Sequence, residues 1–283
     1  LLASSAASDV YKRQSLSKGA AIDLGLNEAY NDLFSTQEER DNAQRSYVTD
    51  LPAAEISDFP NHPFKVRMDQ SMVELADSVK QYGVLVPSLV RPMPNGSYQM
   101  VSGHRRKRAA ELAGLPTVPC IIRELTDDEA IIVMVDSNLQ REKILPSEKA
   151  FAYKMRLDAM KRQGQRTDLT SVPLAQKLTS RAELGKVVGE SQDQVRRYIR
   201  LTYLLPEILD MVDDGKIALR PAVELSYLAE KEQHFLLDTM FSEDCTPSHA
   251  QAIKMRQMSE AKTGEERLAK DALVSIMKEE KPN

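Results

Sequence analysis

The chain lacks tryptophan entirely and has only two cysteines among its 283 residues. Cys120 and Cys245 lie 125 positions apart, which is neither a disulfide framework nor a zinc-binding spacing and fits a reducing cytosol. No apolar stretch approaches the roughly 18 residues that a transmembrane helix needs, so we expect a cytoplasmic protein without a membrane partner. The histidines are isolated from one another and from the cysteines, so they show no metal-binding spacing: His62, His104, His234 and His249.

The overall charge is slightly acidic, with 38 Lys and Arg against 42 Asp and Glu and a formal net charge of −4. An acidic average argues against a nucleic-acid partner, but the charges are unevenly distributed along the chain. Residues 154–200 contain eleven Lys and Arg against five Asp and Glu. Such a local basic segment in an acidic chain is typical of a domain that contacts nucleic-acid phosphates.

The length favours two folded domains, at roughly 150 residues per domain. We expect a disordered tail over residues 1–46, whose first 14 residues, LLASSAASDVYKRQ, resemble translated sequencing-adapter read-through. The residue patterns then predict a mixed α/β domain over 47–145 and an all-helical domain over 146–245. Residues 246–283 are predicted as a C-terminal helical tail, and the abrupt end KEEKPN is consistent with truncation.

The first domain begins with an alternation of helix and strand signals. Ser71 and Glu74 have the spacing of a capping box, and Gly83 ends the predicted helix because glycine tolerates positive φ. A strand is predicted over 85–92, and Asn95-Gly96 predicts a hairpin into a second strand. The remaining predicted elements are a strand over 117–123, a helix opened by Thr126 and Glu129, and a long helix over 146–163.

The most informative stretch is SGHRRKRAAELAG, residues 102–114, which has the pattern of a strand end followed by a helix. Gly103 lies at the predicted helix start, where backbone N–H groups are free and the helix dipole is positive. Arg105, Arg106 and Arg108 add cationic side chains there, so the segment predicts an anion site of the kind that takes a polyphosphate. An ordinary solvent-exposed basic helix start would give the same pattern, and spacing alone does not separate the two.

Residues 180–202 have the pattern of a helix-turn-helix. Gly185 allows two helices to approach closely, Gly189 turns the chain, and Ser191 with Gln194 caps the second helix. Polar residues at the start of such a helix reach base edges, while the arginines that follow reach phosphates. An ordinary exposed helix face would show the same side chains, although the surrounding basic segment favours DNA. The predicted DNA-binding residues are Arg181, Ser191, Gln192, Asp193, Gln194, Arg196, Arg197 and Arg200.

Several segments together resemble the ParB partition protein family. They are GVLVP (83–87), VSGHRRKRAAELAGL (101–115), VDSNLQRE (135–142) and ILPSEKAFAYKMRLDAMKRQG (144–164), with LPEILDMVDDGKIALRPAVELSYL (205–228) further along. The resemblance covers roughly residues 20–260. It implies an α+β fold, in which a small mixed α/β ParB-like N-terminal domain precedes an all-α helix-turn-helix DNA-binding domain. It also implies CTP and Mg²⁺ as cofactors of the first domain.

The resemblance implies a role for each matching residue. Gly83, Val86 and Pro87 would line the pocket around the base, and Asn138 would lie beside the phosphates and Mg²⁺ as the metal-binding residue. Arg141 is expected to connect the pocket to the following helix. The residues implied at the phosphates are Ser102, Gly103, His104, Arg105 and Arg106.

Two positions depart from the family pattern, because the acids of the matching boxes are replaced by His104 and Ser137. Each replacement removes a carboxylate from a site where Mg²⁺ or an attacking water would need one. The neighbouring Asp136 points about 100° away on a helix. We therefore expect nucleotide binding with at most weak CTP hydrolysis, and we assign no catalytic residue.

We favour a site-specific, centromere-binding partition protein that acts in chromosome or plasmid segregation as a CTP-gated clamp on double-stranded DNA, and we expect it at the nucleoid. The implied partners are a second copy of the chain in a homodimer and a ParA-type ATPase. The alternative is a ParB-like transcription or plasmid regulator that binds DNA without nucleotide switching. A third hypothesis is a small-molecule enzyme on the same N-terminal fold, such as a serine kinase or a sulfiredoxin. The sulfiredoxin would need a cysteine where Gly103 stands.

Overall fold

The computed structural model describes residues 47–141, 143–167, 184–186, 188–261 and 270–278. The predicted disordered tail over 1–46 and the predicted DNA-binding residue Arg181 lie outside the described residues. Within the described ranges, no helix is both long and apolar enough to cross a membrane.

The N-terminal part contains a mixed five-stranded sheet in the order β1-β5-β3-β4-β2. β3 and β4 form the antiparallel hairpin that Asn95-Gly96 predicts, with Gly96 at φ 81°. β1 pairs antiparallel with β5, whereas β5 pairs parallel with β3 and β2 pairs parallel with β4. The strands are β1 (Val48–Pro52), β2 (Ile56–Ser57), β3 (Ser88–Pro92), β4 (Tyr98–Ser102) and β5 (Thr117–Ile122).

Helices cover both faces of this sheet. They are α1 (Gln70–Tyr82), α2 (His104–Leu112), α3 (Asp127–Leu139) and α4 (Pro146–Thr167). Adjacent residues of a strand point to opposite faces, and the buried pair Met100 and Val101 shows this directly. Met100 packs in the cluster that contains residues of α1 and α2, while Val101 packs in the cluster that contains residues of α3 and α4.

Two boundaries of this domain differ from the sequence prediction. The predicted capping box of Ser71 and Glu74 is wrong, because Asp69 caps α1 and its carboxylate accepts a hydrogen bond from Met72 N at 3.0 Å. The strand predicted from residue 85 begins at Ser88 instead. Leu85 is exposed, so the apolar run that suggested the strand is not buried. The predicted capping box of Thr126 and Glu129 at α3 is confirmed.

The C-terminal part is entirely helical in its described residues. A short helical segment at 184–186 precedes α5 (Gln192–Arg200). The other helices are α6 (Pro206–Asp213), α7 (Leu219–Leu225), α8 (Glu230–Ser242), α9 (His249–Ala261) and α10 (Lys270–Lys278). Residues of α9 and α10, such as Met255 and Ile276, share one hydrophobic core with α6, α7 and α8. The segment predicted as a C-terminal tail therefore contributes to this core.

Candidate functional site: a cationic cavity and a DNA-reading helix

A cavity of about 1030 Å³ lies where the N-terminal part meets α4 and the helical segment before α5. Two carboxylates, Asp69 and Glu148, line it. Six cationic side chains also line it: Lys65, Arg67, Arg105, Arg141, Lys143 and Lys149. This excess of positive charge suits a ligand with several negative charges, and phosphate groups are the common case.

Arg105 is the predicted phosphate residue that lines this cavity. Its Nη2 donates a hydrogen bond to Ser71 Oγ at 2.6 Å. Its Nε is buried and donates no hydrogen bond among the described residues. A buried guanidinium N–H without an acceptor is costly in free energy. An anionic ligand that accepts a hydrogen bond from Arg105 Nε would remove this cost.

Arg105 reaches the cavity because α2 starts at a tight junction with the sheet. Gly103 has a φ of 117°, and a Cβ at this position would overlap the Ser88 side chain. A side chain at residue 103 would therefore be strained by its backbone conformation and by this contact. Glycine thus lets α2 begin directly after β4, as predicted, and sets the direction of its first turn.

Arg106 occupies a different position from Arg105. Its Nη1 donates hydrogen bonds to the carbonyls of Val86, at 2.8 Å, and Pro87. Arg106 thus ties the segment 83–87 to α2 and brings two of the predicted nucleotide segments together. Burial lowers the pKa of this guanidinium. The residues predicted around the base, Gly83, Val86 and Pro87, lie on this segment and do not line the cavity.

His104, which stands where the family resemblance implies an acid, is buried beside His62. The two imidazole centroids are 3.9 Å apart, and Phe59 N donates a hydrogen bond to His104 Nε2 at 3.4 Å. Burial, reinforced by His62, lowers the pKa of His104 to about 3. Burial also lowers the pKa of His62. His104 is therefore a neutral packing residue at pH 7 and supplies no carboxylate.

The predicted metal-binding residue Asn138 is buried near the end of α3. Its Nδ2 donates a hydrogen bond to the carbonyl of Met134 at 2.7 Å, as does Ser137 Oγ at 2.9 Å. Asp136 accepts two hydrogen bonds, at 2.7 and 3.1 Å, from Arg156 of α4. The described part of the chain contains no group of three or more His, Cys, Asp or Glu side chains that could hold a metal ion. The described residues of the cavity fit phosphates, and the expected role of Asn138 beside Mg²⁺ stays a prediction.

The helix-turn-helix geometry predicted from the glycines is confirmed. A Cβ on Gly185 would lie 2.6 Å from the carbonyl oxygen of Glu190, so the first helix and the turn approach too closely for a larger residue. Gly189 has a φ of 69°, which favours glycine in the turn. Ser191 Oγ accepts a hydrogen bond from Gln194 N at 3.1 Å and caps α5.

The exposed face of α5 carries most of the predicted DNA-binding residues. Asp193, Arg196 and Arg197 are exposed, whereas Gln192 and Gln194 are half-buried. A groove of about 740 Å³ runs alongside, lined by Gln194 and Arg197 of α5. Its other polar and cationic lining residues come from later segments: Lys216, Arg220, Thr246, Ser248 and His249. Sequence reasoning missed these residues, because no local pattern shows that they lie beside α5.

Arg200 is placed differently from the prediction that it reaches a phosphate. Its Nη2 donates a hydrogen bond to the carbonyl of Ser226 at 2.7 Å, and its Nε donates to Ser226 Oγ at 3.0 Å. The guanidinium carbon also lies 4.5 and 3.9 Å from the ring centroids of Tyr203 and Tyr227. In this conformation Arg200 fixes the C-terminal end of α5 against the residues that follow α7.

Arg141 was predicted to connect the pocket to the following helix without meeting the ligand. The structure places it on the cavity wall, with its guanidinium carbon 5.5 Å from the centroid of the Phe64 ring. Burial lowers the pKa of Arg141. Arg141 and Lys149, which is also on the wall, bring positive charge from the two sides of the junction between α3 and α4.

Comparisons with known proteins match both parts of the chain. Residues 37–139 match the family model described as the ParB N-terminal domain, and residues 146–259 match the one described as the ParB HTH domain. The chain is 34% identical over 209 residues to the chromosome-partitioning protein Spo0J of Thermus thermophilus, covering 74% of this chain and 71% of that protein. It is 33% identical over 195 residues to the stage 0 sporulation protein J of Bacillus subtilis, covering 69% of this chain and 61% of that protein.

A solved structure is also similar in part. It is the C-terminally truncated chromosome-partitioning protein ParB from Caulobacter crescentus, complexed to the centromeric parS site. The match has 24% sequence identity and a TM-score of 0.44, and it covers 74% of this chain and 98% of that chain. The chain spans 71% and 61% of the lengths of the two relatives from Thermus thermophilus and Bacillus subtilis.

Proposed function

The chain belongs to the ParB family, and from that premise we propose that it is a site-specific DNA-binding partition protein whose DNA reader is gated by a nucleotide. The observation that carries the DNA-binding part is the exposed face of α5. This helix is capped by Ser191, projects Arg196 and Arg197, and borders a groove with further cations. A helix of this kind inserts its N-terminal residues into the major groove while the cations contact phosphates.

Selection from a pool of random DNA duplexes tests this part directly. The wild-type chain is expected to enrich one sequence motif and to bind it at least about 10³-fold more tightly than unrelated DNA. Gln192→Ala should lower the discrimination at one base position by about 1–3 kcal/mol, whereas Arg196→Ala should weaken binding to all sequences alike. Lys80→Ala, an exposed cation on α1, is the matched control. Failure to enrich any motif would contradict site-specific reading.

The cationic cavity supports the nucleotide part of the proposal. Its six cations and two carboxylates give the excess positive charge that a triphosphate requires, and Arg105 offers a buried N–H without an acceptor. CTP is the nucleotide that the family resemblance implies. Arg105, Arg141 and Lys65 would hold its phosphates, and the segment 83–87, fixed by Arg106, would approach the base.

Calorimetric titration with CTP, and separately with ATP, tests the nucleotide proposal. CTP is expected to bind and ATP to bind at least about tenfold more weakly, a difference of about 1.4 kcal/mol. Arg105→Ala should abolish CTP binding. Arg108→Ala is the matched control, since Arg108 pairs with Glu111 on the same helix and does not line the cavity. No binding of either nucleotide would favour a DNA-binding regulator, and preferential ATP binding would favour an enzyme.

Hydrolysis of CTP is proposed to be slow at most. His104 and Ser137 stand where the family resemblance implies acids, and the neighbouring carboxylate of Asp136 is held by Arg156. The same observations favour the second candidate function, a ParB-like transcription or plasmid regulator that binds DNA without nucleotide switching. Measuring the affinity for DNA with and without CTP separates the two functions. The regulator would bind DNA equally tightly in both conditions.

The wider partition role also remains part of the proposal. A homodimer that closes around DNA, and a ParA-type ATPase that moves it, are implied by the family resemblance. Either a chromosome or a plasmid would serve as the DNA that is segregated. Sedimentation of the chain with and without DNA tests the homodimer, and co-sedimentation with a ParA-type ATPase tests the second partner.

A further inference from the structure

Four arginines from two separate helices line a pocket of about 300 Å³, which we call the arginine pocket. They are Arg196, Arg197 and Arg200 of α5 and Arg256 of α9. The other residues that line it are Asp193, Val223, Glu224 and Tyr227. Four guanidinium groups against two carboxylates leave an excess of positive charge, and the N–H groups of a guanidinium match the oxygens of a phosphate. The pocket therefore suits a phosphate group.

The Arg256 side chain is held in place by its neighbours. Its Nε donates a hydrogen bond to Glu260 Oε1 at 2.7 Å, and its Nη1 donates one to Glu224 Oε2 at 3.0 Å. Its guanidinium carbon lies 3.7 Å from the centroid of the Tyr227 ring. A side chain that is already ordered loses little conformational entropy when a ligand binds. Arg256 is therefore pre-organised to bind an anion in the arginine pocket.

Two of these arginines keep N–H groups that no described residue accepts. Arginine has five N–H donors. In Arg256 the hydrogen bonds to described residues come from Nε and Nη1, which leaves Nη2 available. Arg196 is exposed and makes no hydrogen bond or ion pair with a described residue. The two side chains thus offer donors from α5 and from α9 to a single phosphate.

A series of stacked cations and aromatic rings fixes Arg256 relative to α5. The guanidinium carbon of Arg200 lies 3.9 Å from the centroid of the same Tyr227 ring that Arg256 contacts. The series continues from Arg200 to the Tyr203 ring at 4.5 Å, and from that ring to Lys154 Nζ of α4 at 5.4 Å. Each cation is attracted to the rings beside it. Arg256 is thereby held at a defined position beside the DNA-reading helix.

A DNA duplex that receives α5 would bring phosphates close to this position. The major groove is about 12 Å wide, which is about the diameter of a helix with its side chains, so backbone phosphates lie beside a helix in the groove. We propose that Arg256, together with Arg196, binds a backbone phosphate of the duplex, so that α9 as well as α5 holds the DNA. This inference rests on the DNA-binding part of the proposed function. It adds a contact from a helix that no sequence pattern connected with DNA.

The salt dependence of the affinity for the selected DNA site tests this contact. Arg256→Ala should reduce the slope of log affinity against log salt concentration by about 0.9, the value for one lost phosphate contact. Arg256→Lys keeps the positive charge and should retain most of the slope. Lys254→Met removes an exposed cation of the same helix that does not line the pocket, so this matched control should keep the wild-type slope. Circular dichroism verifies that each variant is folded.

Replacing backbone phosphates one at a time by neutral methylphosphonates separates a direct contact from a structural role. At one position the replacement should weaken binding of the wild type at least about fivefold, and binding of Arg256→Ala less than about twofold, because the variant has already lost that interaction. A structural role of Arg256 would lower the affinity for every duplex by the same factor. The absence of such a position would therefore overturn the inference, as would an Arg256→Ala variant with the wild-type salt slope.

Calorimetric titration with inorganic phosphate in the absence of DNA distinguishes the DNA backbone from a free anion as the ligand. If Arg256→Ala abolished binding of inorganic phosphate but kept the wild-type salt slope for DNA, the pocket would belong to a free anion and the inference would be wrong. A wild type that selects a DNA motif but shows no effect of Arg256→Ala would overturn the inference alone. A wild type that selects no motif would overturn the DNA-binding part of the proposed function as well.

Discussion

Lowering the pH from 7 to 4.5 should destabilise the N-terminal part through His104. Burial, reinforced by His62, lowers the folded-state pKa of His104 to about 3, against an ordinary value of 6.5. Between these two pKa values the unfolded chain binds a proton at His104 that the folded chain does not bind. The free energy of unfolding therefore falls as the pH falls through this window. At 1.36 kcal/mol per pKa unit, the loss between pH 7 and 4.5 is about 2.5 kcal/mol.

Urea denaturation at the two pH values, followed by circular dichroism, measures this loss. His104→Gln keeps a side-chain acceptor for Phe59 N, and it should remove most of the difference between the two pH values. His234→Gln, which replaces an exposed histidine outside the N-terminal part, is the matched control. The reasoning would be refuted if His104→Gln lost as much stability on acidification as the wild type did.

Three further outcomes follow from the geometry. Gly103→Ala should lower the free energy of unfolding by about 2 kcal/mol or more, and Gly96→Ala, which has open space around it, by about 1 kcal/mol, in denaturant titrations. Asp69→Ala should cost about 1 kcal/mol in the same assay, because α1 loses its cap. Arg197→Ala should reduce the slope of log affinity against log salt concentration by about 0.9, whereas Arg200→Ala should weaken DNA binding with little change in that slope.

Local signals predicted the turns and caps of the DNA-reading unit well. The sequence around Gly185 and Gly189 predicted a close approach and a turn, and the structure places Gly185 tightly against the Glu190 carbonyl of that turn, with Gly189 at positive φ. Ser191 was correctly identified as a cap. Its Oγ accepts a hydrogen bond from Gln194 N, only three residues further on, so both partners are visible in a short stretch of sequence. Motifs whose partners lie within a few positions are visible in a sequence, since local geometry alone determines them.

Contacts between distant segments were not predictable. The cavity combines Lys65, Arg105, Arg141 and Lys149 from separate elements, and of these the sequence indicated Arg105 as a phosphate residue. The packing of His62 against His104 likewise joins residues 42 positions apart. At α1, several residues could serve as the cap, and the choice of Asp69 over Ser71 depends on where the preceding chain enters the helix. Ser71 Oγ instead accepts a hydrogen bond from Arg105 in the cavity wall.

The most direct test of a nucleotide-gated DNA reader is the amount of protein retained on a duplex that carries one selected site. The duplex is prepared with both ends blocked and with one end free, and retention is measured with and without CTP. The account predicts that CTP raises the amount of protein retained when both ends are blocked, and that opening one end releases this excess. Equal retention under all four conditions would contradict nucleotide gating.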